Sequence, residues 1–366
     1  MRTNNVLGIL FSNAYDSAMP ELTALRTMAS VPVACRYRLI DFPLSGMVNF
    51  GITKVGVVTK SNYRSLMGHL GMGKAWDLSR KNEGLTLLPP FVGKGAGGNN
   101  TRIEGLRSAM EFIALSKEEY VVLGDCNIVC NLDYRALIHT HQSSGADITV
   151  AYKRGAAPKV SAIRLTLNET GRVTKTVLSR ERCDDALYSL NIFVLRRTLL
   201  ERMILDCDDC DDYTLIARNI ENLHMCGAEI TGYAKVVDSL QSYYDLSMDL
   251  LKPEVRQALF DFTRPVLTKI HDDMPAISGL NSVIKNCLMA DGCMIKGAAH
   301  GSVLFRGVTI EEGASVRNCV LMQGTHVGAG ATLENVVADK AVVIEPGKTL
   351  MGAKNYPIYL SKQVVV

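Results

Sequence analysis

A chain of 366 residues exceeds the roughly 250–300 residues at which a single core stops growing, so two domains, or one large and one small, are expected. Hydrophobic residues at 47% and charged residues at 21% describe an ordinary soluble globular chain, and no run of about 18 apolar residues offers a membrane span. A formal net charge of +3, with no basic tail and no basic stripe interleaved with aromatics, argues against nucleic acid as a partner.

The N-terminus, MRTNNVLGILFSNAY, has only a short apolar stretch and no small-residue cleavage pattern. It reads as a first strand rather than a signal peptide, which makes a cytoplasmic location the expectation. Of ten cysteines, only Cys207 and Cys210 stand at metal-ligand spacing. With no second pair to complete a zinc site, they read as reduced thiols in an acidic surface turn.

In chain order, residues 6–11 (VLGILF) form a β-rich apolar run that predicts a buried strand of an α/β sheet. The loop after it, from Ser12 to Thr23, holds no glycine. Residues 35–60, CRYRLIDFPLSGMVNFGITKVGVVTK, combine a basic start, a helix with Pro43 at its first position and a short apolar strand ending in Val57-Val58, which is half of a βαβ unit. Residues 61–76 have helical spacing with Ser61 as N-cap. The stretch 89–101 is rich in glycine and asparagine; Gly93 to Gly98 superficially resembles a phosphate loop but lacks the GK[ST] ending, so a surface loop is expected. An amphipathic helix is predicted over 104–117, and strands over 119–123, 147–152, 159–166 and 189–195.

Residues 251–281 read as a linker with prolines at 253, 265 and 275. Beyond it, Ile310-Glu-Glu-Gly-Ala-Ser-Val316, Val327-Gly-Ala-Gly-Ala-Thr-Leu333 and Ile344-Glu-Pro-Gly-Lys-Thr-Leu350 start at 310, 327 and 344, a spacing of 17. Aliphatics six apart with small residues between them are the signature of hexapeptide β-helix turns. With a degenerate coil over 293–305, about four coils of a short left-handed parallel β-helix are expected. Its open ends and flat faces favour assembly.

Residues 35–60 resemble the KYRLIDFxLSNxxNSGIxxIxVLTQ run of the ADP-glucose pyrophosphorylases (glucose-1-phosphate adenylyltransferases), which make the activated sugar for glycogen and starch. Residues 232–250 resemble GYWRDVGTIxxYxxANxDL of the same family, and RPVLTKIHDDMPA resembles its PIYTKxxDxPP. The resemblance runs from Val6 to about Gly352. It implies an α/β fold with a Rossmann-like nucleotidyltransferase domain over 1–250, a linker over 251–281 and the left-handed β-helix over 282–366.

It also implies where the chemistry should be. In place of the family's phosphate loop, GGGxGxRLxPLT, an ungapped count puts Asn13, Ala14 and Asp16 at glycines, Ala18 at the arginine and Met28 at a lysine. Asp16 would repel a triphosphate, and the two cations that neutralise it are gone. The GTADA motif of the base-recognition side becomes Thr101-Arg102-Ile103-Glu104-Gly105. The LAGDHIY aspartate that holds catalytic Mg²⁺ falls on Asn127, and the second metal aspartate, in RDVG, on Val236, which cannot ligate a metal. In the sugar-binding FVEKP motif, Ser179 replaces the glutamate and Arg180 the lysine; the SMGIYVF strand follows from Ser189. Arg180 leaves a cation there for a sugar phosphate, although an ordinary solvated arginine explains it equally. Arg26 and Arg36 stand where the family has basic residues near its anionic effector site, with the same alternative of ordinary surface or interface arginines.

Loss of the cradle, both metal carboxylates and the sugar-site glutamate together implies a chain that keeps the architecture and not the reaction. Within the family the resemblance is to GlgD-type subunits, which implies a regulatory role beside a catalytic GlgC-type adenylyltransferase subunit, a sugar-phosphate effector, and a homo- or hetero-tetramer. Two other readings stay open. One is an active adenylyltransferase that holds Mg²⁺ on Asp125 and Asp238, although Asp238 sits about 7 Å along the strand from the family's position. The other is a free-standing sensor of a sugar phosphate or nucleotide.

Overall fold

In the computed structural model, residues 5–81, 83–89, 101–158, 162–179, 183–206 and 222–366 are described. Val6–Phe11 is buried at every position, as a strand apolar on both faces must be. It pairs in parallel with Lys54–Val58 on one side and Tyr120–Asp125 on the other. Alternation splits its side chains between two cores. Val6 and Leu10 join the layer of Ile40, Leu44 and Met47; Leu7, Ile9 and Phe11 join that of Ile103, Leu106, Ile113 and Leu200. Gly8 lets the helix Asp41–Phe50 approach, since a Cβ there would lie 2.7 Å from Met47 Sδ.

The sheet runs Val173–Ser179, Ala162–Leu167, Ala186–Arg196, Tyr120–Asp125, Val6–Phe11, Lys54–Val58, Gly84–Leu88. Ala186–Arg196 is antiparallel to Tyr120–Asp125 and also pairs with Ile148–Gly155, which carries Met225–Glu229. The parallel strands therefore end together, and the loops after Phe11 and Asp125 share one edge.

Local details depart from expectation at helix starts. Asp41–Phe50 begins two residues before Pro43. Asp41 is fully buried, accepting the Arg38 N–H at 3.0 Å and lying 2.6 Å from His69 Nε2. The following helix is only Arg64–Leu70, entered through Tyr63 without a side-chain cap rather than through Ser61. The predicted helix over 104–117 is two short ones, Arg102–Ser108, capped by Thr101, and Met110–Ala114. The Gly93–Gly98 stretch, Arg180 and the Cys207/Cys210 turn lie outside the described residues.

The repeat folds into three five-stranded parallel sheets, so there are five coils. The additional coil begins at Ile277–Ser278, within the predicted linker, and uses Val283–Lys285 and Leu288–Met289. Its residue in register with Ile295 is Ser278, so the aliphatic that marks the later coils is missing, which hid it. Ile295, Ile310, Val327 and Ile344 stack inward with no exposed surface. One end is closed by the chain itself: the Val343 N–H donates to Val364 O at 2.9 Å, and the Val366 N–H to Val343 O at 3.0 Å. At the other end no described strand pairs with the outer edge of the first coil, and Ile277, Leu280 and Val283 are exposed.

The β-helix shares a core with the first domain. The helix Leu240–Asp249, started by a Ser239/Ser242 capping box, packs Tyr243, Tyr244 and Leu246 with Met28, Val31 and Val33 against Val303, Val320 and Val337. The Tyr243 hydroxyl donates to Pro32 O at 2.8 Å, and the Tyr244 hydroxyl to Asn318 O at 2.9 Å. Apolar burial and satisfied hydroxyls thus join the two parts.

Candidate functional site

The loop after Phe11 is closed by its own side chains. Asn13 Oδ1 accepts the Lys60 N–H at 2.9 Å and the Ser12 hydroxyl at 2.8 Å, while Nδ2 donates to Asp16 Oδ2 at 2.5 Å and to Ser61 O at 3.1 Å. Asp16 Oδ1 accepts the Met28 N–H at 2.7 Å. Burial pushes the Asp16 carboxyl up to about 6, opposed by the Met28 N–H and the Asn13 amide. Ala14 packs on the second core, Ala18 is half-buried, and Met28 is buried at the junction with the β-helix. Asn13, Ala14, Asp16 and Ala18 lie between the strand Val6–Phe11 and a helical turn at Pro20–Thr23, and Met28 follows that turn. An anion there would have to displace Asp16 from a backbone donor it already satisfies.

At the end of the neighbouring strand, Asp125 is fully buried and ion-paired with Arg102. Nε donates to Oδ1 at 2.8 Å and Nη2 donates to Oδ2. Tyr15 lies beside them, its hydroxyl 3.5 Å from Arg102 Nη2 and accepting Asn191 Nδ2 at 2.7 Å. Asn191 sits at a bulge with φ +53°, its N–H donating to Ser189 Oγ at 2.9 Å. Ser189 thus positions this network, while Ser179 closes the edge strand opposite Ala162. Sequence reasoning passed over Arg102 and Tyr15. The only signal was an arginine appearing in a base-recognition segment.

Asn127 and Val236 are brought together. Ala234–Val236 pairs antiparallel with Ile128–Cys130, setting Val236 opposite Ile128. The Val237 N–H then donates to Asn127 O at 2.8 Å, and Asn127 Nδ2 donates to Val237 O at 3.1 Å. The donor set does not suit Mg²⁺. Asn127 contributes one neutral carbonyl, Val236 nothing, and Mg²⁺ asks for carboxylate oxygens in octahedral geometry. Asp125 faces a guanidinium, and Asp238 Oδ1 accepts the Ser239 hydroxyl at 3.1 Å. Among the described residues, no group of three His, Cys, Asp or Glu could hold a metal.

The two candidate effector arginines part company. Arg26 is buried and pairs with Asp339 of the β-helix through Nη2, 2.7 and 2.6 Å from the two oxygens. Arg36 is exposed, with its guanidinium carbon 5.7 Å from the Tyr37 ring centre. Two other cations share the junction. Burial lowers Lys340 to about 8, with Arg38 and Arg26 adding to the effect and Asp339 opposing it. Arg38 is lowered to about 10 by burial, with Arg26 and Arg306 contributing and Asp41 opposing. Positive charge is thus in excess where the domains meet.

That excess has a pH signature. Below about 8 Lys340 is charged in folded and unfolded chains alike, and the fold carries the whole penalty. Between about 8 and 10.5 the folded chain loses the proton first and the penalty fades. Lys340→Met is expected to raise the melting temperature by about 2–4 °C at pH 7, roughly 1 kcal/mol, with the gain gone near pH 10.5. Calorimetry across that range checks it; a variant no more stable than the parent at pH 7 contradicts it.

The comparisons with known proteins agree with this architecture. A nucleotidyl transferase family model matches residues 18–162, and a GlmU-like C-terminal hexapeptide model matches 274–355, which makes the coil the left-handed type the spacing predicts. Glucose-1-phosphate adenylyltransferase of Bacillus cytotoxicus (strain DSM 22905 / CIP 110041 / 391-98 / NVH 391-98) is 27% identical, over 97% of either chain. The glycogen biosynthesis protein GlgD of Bacillus subtilis (strain 168) is 34% identical over 100% of this chain and 98% of the relative. GlgD of Geobacillus stearothermophilus is 35% identical over 99% and 97%. With identity at that level along the whole length, on a nucleotidyltransferase domain joined to a β-helix, the chain belongs to the GlgD family of glycogen biosynthesis proteins, relatives of the ADP-glucose pyrophosphorylases.

Proposed function

We propose that this chain is a regulatory subunit of ADP-glucose pyrophosphorylase, inactive or nearly so by itself, which modulates a catalytic GlgC-type partner making ADP-glucose and pyrophosphate from ATP and glucose 1-phosphate. The observation that carries the reading is that the phosphate loop, the base-recognition segment and the metal positions of a nucleotidyltransferase are filled from within. Asp16 takes the Met28 N–H, Arg102 takes Asp125, and Asn127 meets Val236 and Val237 where two carboxylates would stand. Adenylyl transfer depends on neutralising and orienting phosphates, and these arrangements supply neither function.

The intact scaffold supports a role through contact. The open end of the β-helix, with Ile277, Leu280 and Val283 exposed, offers an unpaired edge for assembly into a homo- or hetero-tetramer. The cations at the domain junction, Arg38 and Lys340, with Arg36 nearby in the chain, suit a sugar-phosphate effector. Binding there would bias how the β-helix sits on the first domain, which is the differential contact that allosteric coupling needs. No described helix is long and apolar enough to cross a membrane.

Pyrophosphate release from ATP, Mg²⁺ and glucose 1-phosphate tests the proposal, using this chain, the catalytic subunit and their mixture. Silence alone, with a severalfold change in rate or effector response in the mixture, is expected. Turnover by this chain alone would return Asp125 and Asp238 to consideration as metal ligands. Ligand-induced stabilisation with no effect on the catalytic subunit would favour a free-standing sensor.

A further inference from the structure

Arg102 has more around it than an ion pair requires. Its guanidinium carbon lies 5.9 Å from the Phe11 ring centre and 5.7 Å from that of Tyr15. Its edge meets Asp125, whose side chain is fully buried, while the arginine side chain keeps only 17% of its surface exposed. Tyr15 is held in turn by Asn191, and Asn191 by Ser189. A planar group is therefore fixed against two aromatic rings at the carboxyl ends of Val6–Phe11 and Tyr120–Asp125, where open α/β sheets receive their ligands. Guanidinium and nucleobase share this preference: both are flat, both stack on aromatic faces, and both present edge donors to a carboxylate.

We propose that Arg102 is an internal stand-in for a nucleotide base, occupying the place beside Phe11, Tyr15 and Asp125 and so keeping adenine nucleotides out of this subunit. The choice of adenine rests on the functional reading above. This obstacle is separate from the Asp16 carboxylate, which opposes phosphates and would not oppose an uncharged nucleoside.

The test therefore uses adenosine, titrated calorimetrically into the wild-type full chain and into Arg102→Ala/Asp125→Asn, which keeps an acceptor oxygen at the edge of the site. Both charges are removed together because Arg102→Ala alone leaves a buried carboxylate unpaired and endangers the fold. A cooperative melt establishes that the double variant is folded. The wild type is expected to show no saturable binding up to about 1 mM, and the double variant at least about tenfold tighter binding than that limit. Saturable binding by the wild type, or a folded double variant that binds no better, overturns the proposal. Wild-type pyrophosphate release in the absence of the partner would sink the regulatory reading whatever adenosine does. Adenosine binding by an inactive wild type that still modulates its partner would sink only the stand-in.

Discussion

Arg26→Ala is expected to destabilise the protein by about 3–5 kcal/mol, the usual result of leaving one member of a buried ion pair alone. The Arg26 and Asp339 side chains are 6% and 3% exposed. Asp339 also accepts the Lys340 N–H at 2.7 Å and the Tyr359 hydroxyl at 3.2 Å, so it cannot turn towards water without giving up other bonds. The two singles should differ. Without Arg26, Lys340 still offers Asp339 some compensation. Without Asp339, Arg26, Arg38 and Lys340 face one another with no anion between them, so Asp339→Ala should fall at the upper end. Arg26→Met/Asp339→Leu should recover most of the loss, because no charge is then stranded. Urea denaturation of the four proteins measures this, and a double variant as weak as either single would mean that the pair is not what joins the domains.

Asn127→Asp restores a carboxylate at the position of the family's metal ligand, and it is expected to destabilise rather than activate. Asn127 is 1% exposed, and its Nδ2 donates to Val237 O. Aspartate would turn that hydrogen bond into a charge–carbonyl repulsion in a buried site, a penalty of about 2–4 kcal/mol. The carboxyl would be held neutral to a higher pH than in the unfolded chain. The loss should therefore be full at pH 8 and shrink as pH falls through the raised folded value, because the protonated acid can again donate to Val237 O. Melting curves at pH 5 and pH 8 separate this from a general packing defect, which would be the same at both. Asn127→Asp/Val236→Asp should still release no pyrophosphate with Mg²⁺, since Asp16 and Arg102 remain in place. Turnover by that variant would show the two metal positions to be the only missing parts.

The sequence by itself determined the features that repeat locally. Val6–Phe11 is apolar at every position because both faces of its sheet are covered. The 17-residue spacing of Ile310, Val327 and Ile344 is the pitch of the β-helix written directly into the chain; the segments YRLIDF and GYAKVVDSLQSYYDL anchored the register that singled out Asn13, Asp16 and Val236, and Glu119-Tyr120 with Asp133-Tyr134 the one that singled out Asn127. Reading failed where the local signal was weak, as at the cap of Arg64–Leu70 and in the first coil. Only the tertiary structure decided the rest: that Asp16 closes on Met28, that Arg102 fills the place beside Asp125, and that Arg26 is a strut between domains rather than a free effector contact. The partners of these charged groups lie 12, 23 and 313 residues away. No period marks such pairs, because a charge that must leave water is matched by whatever the fold brings to it.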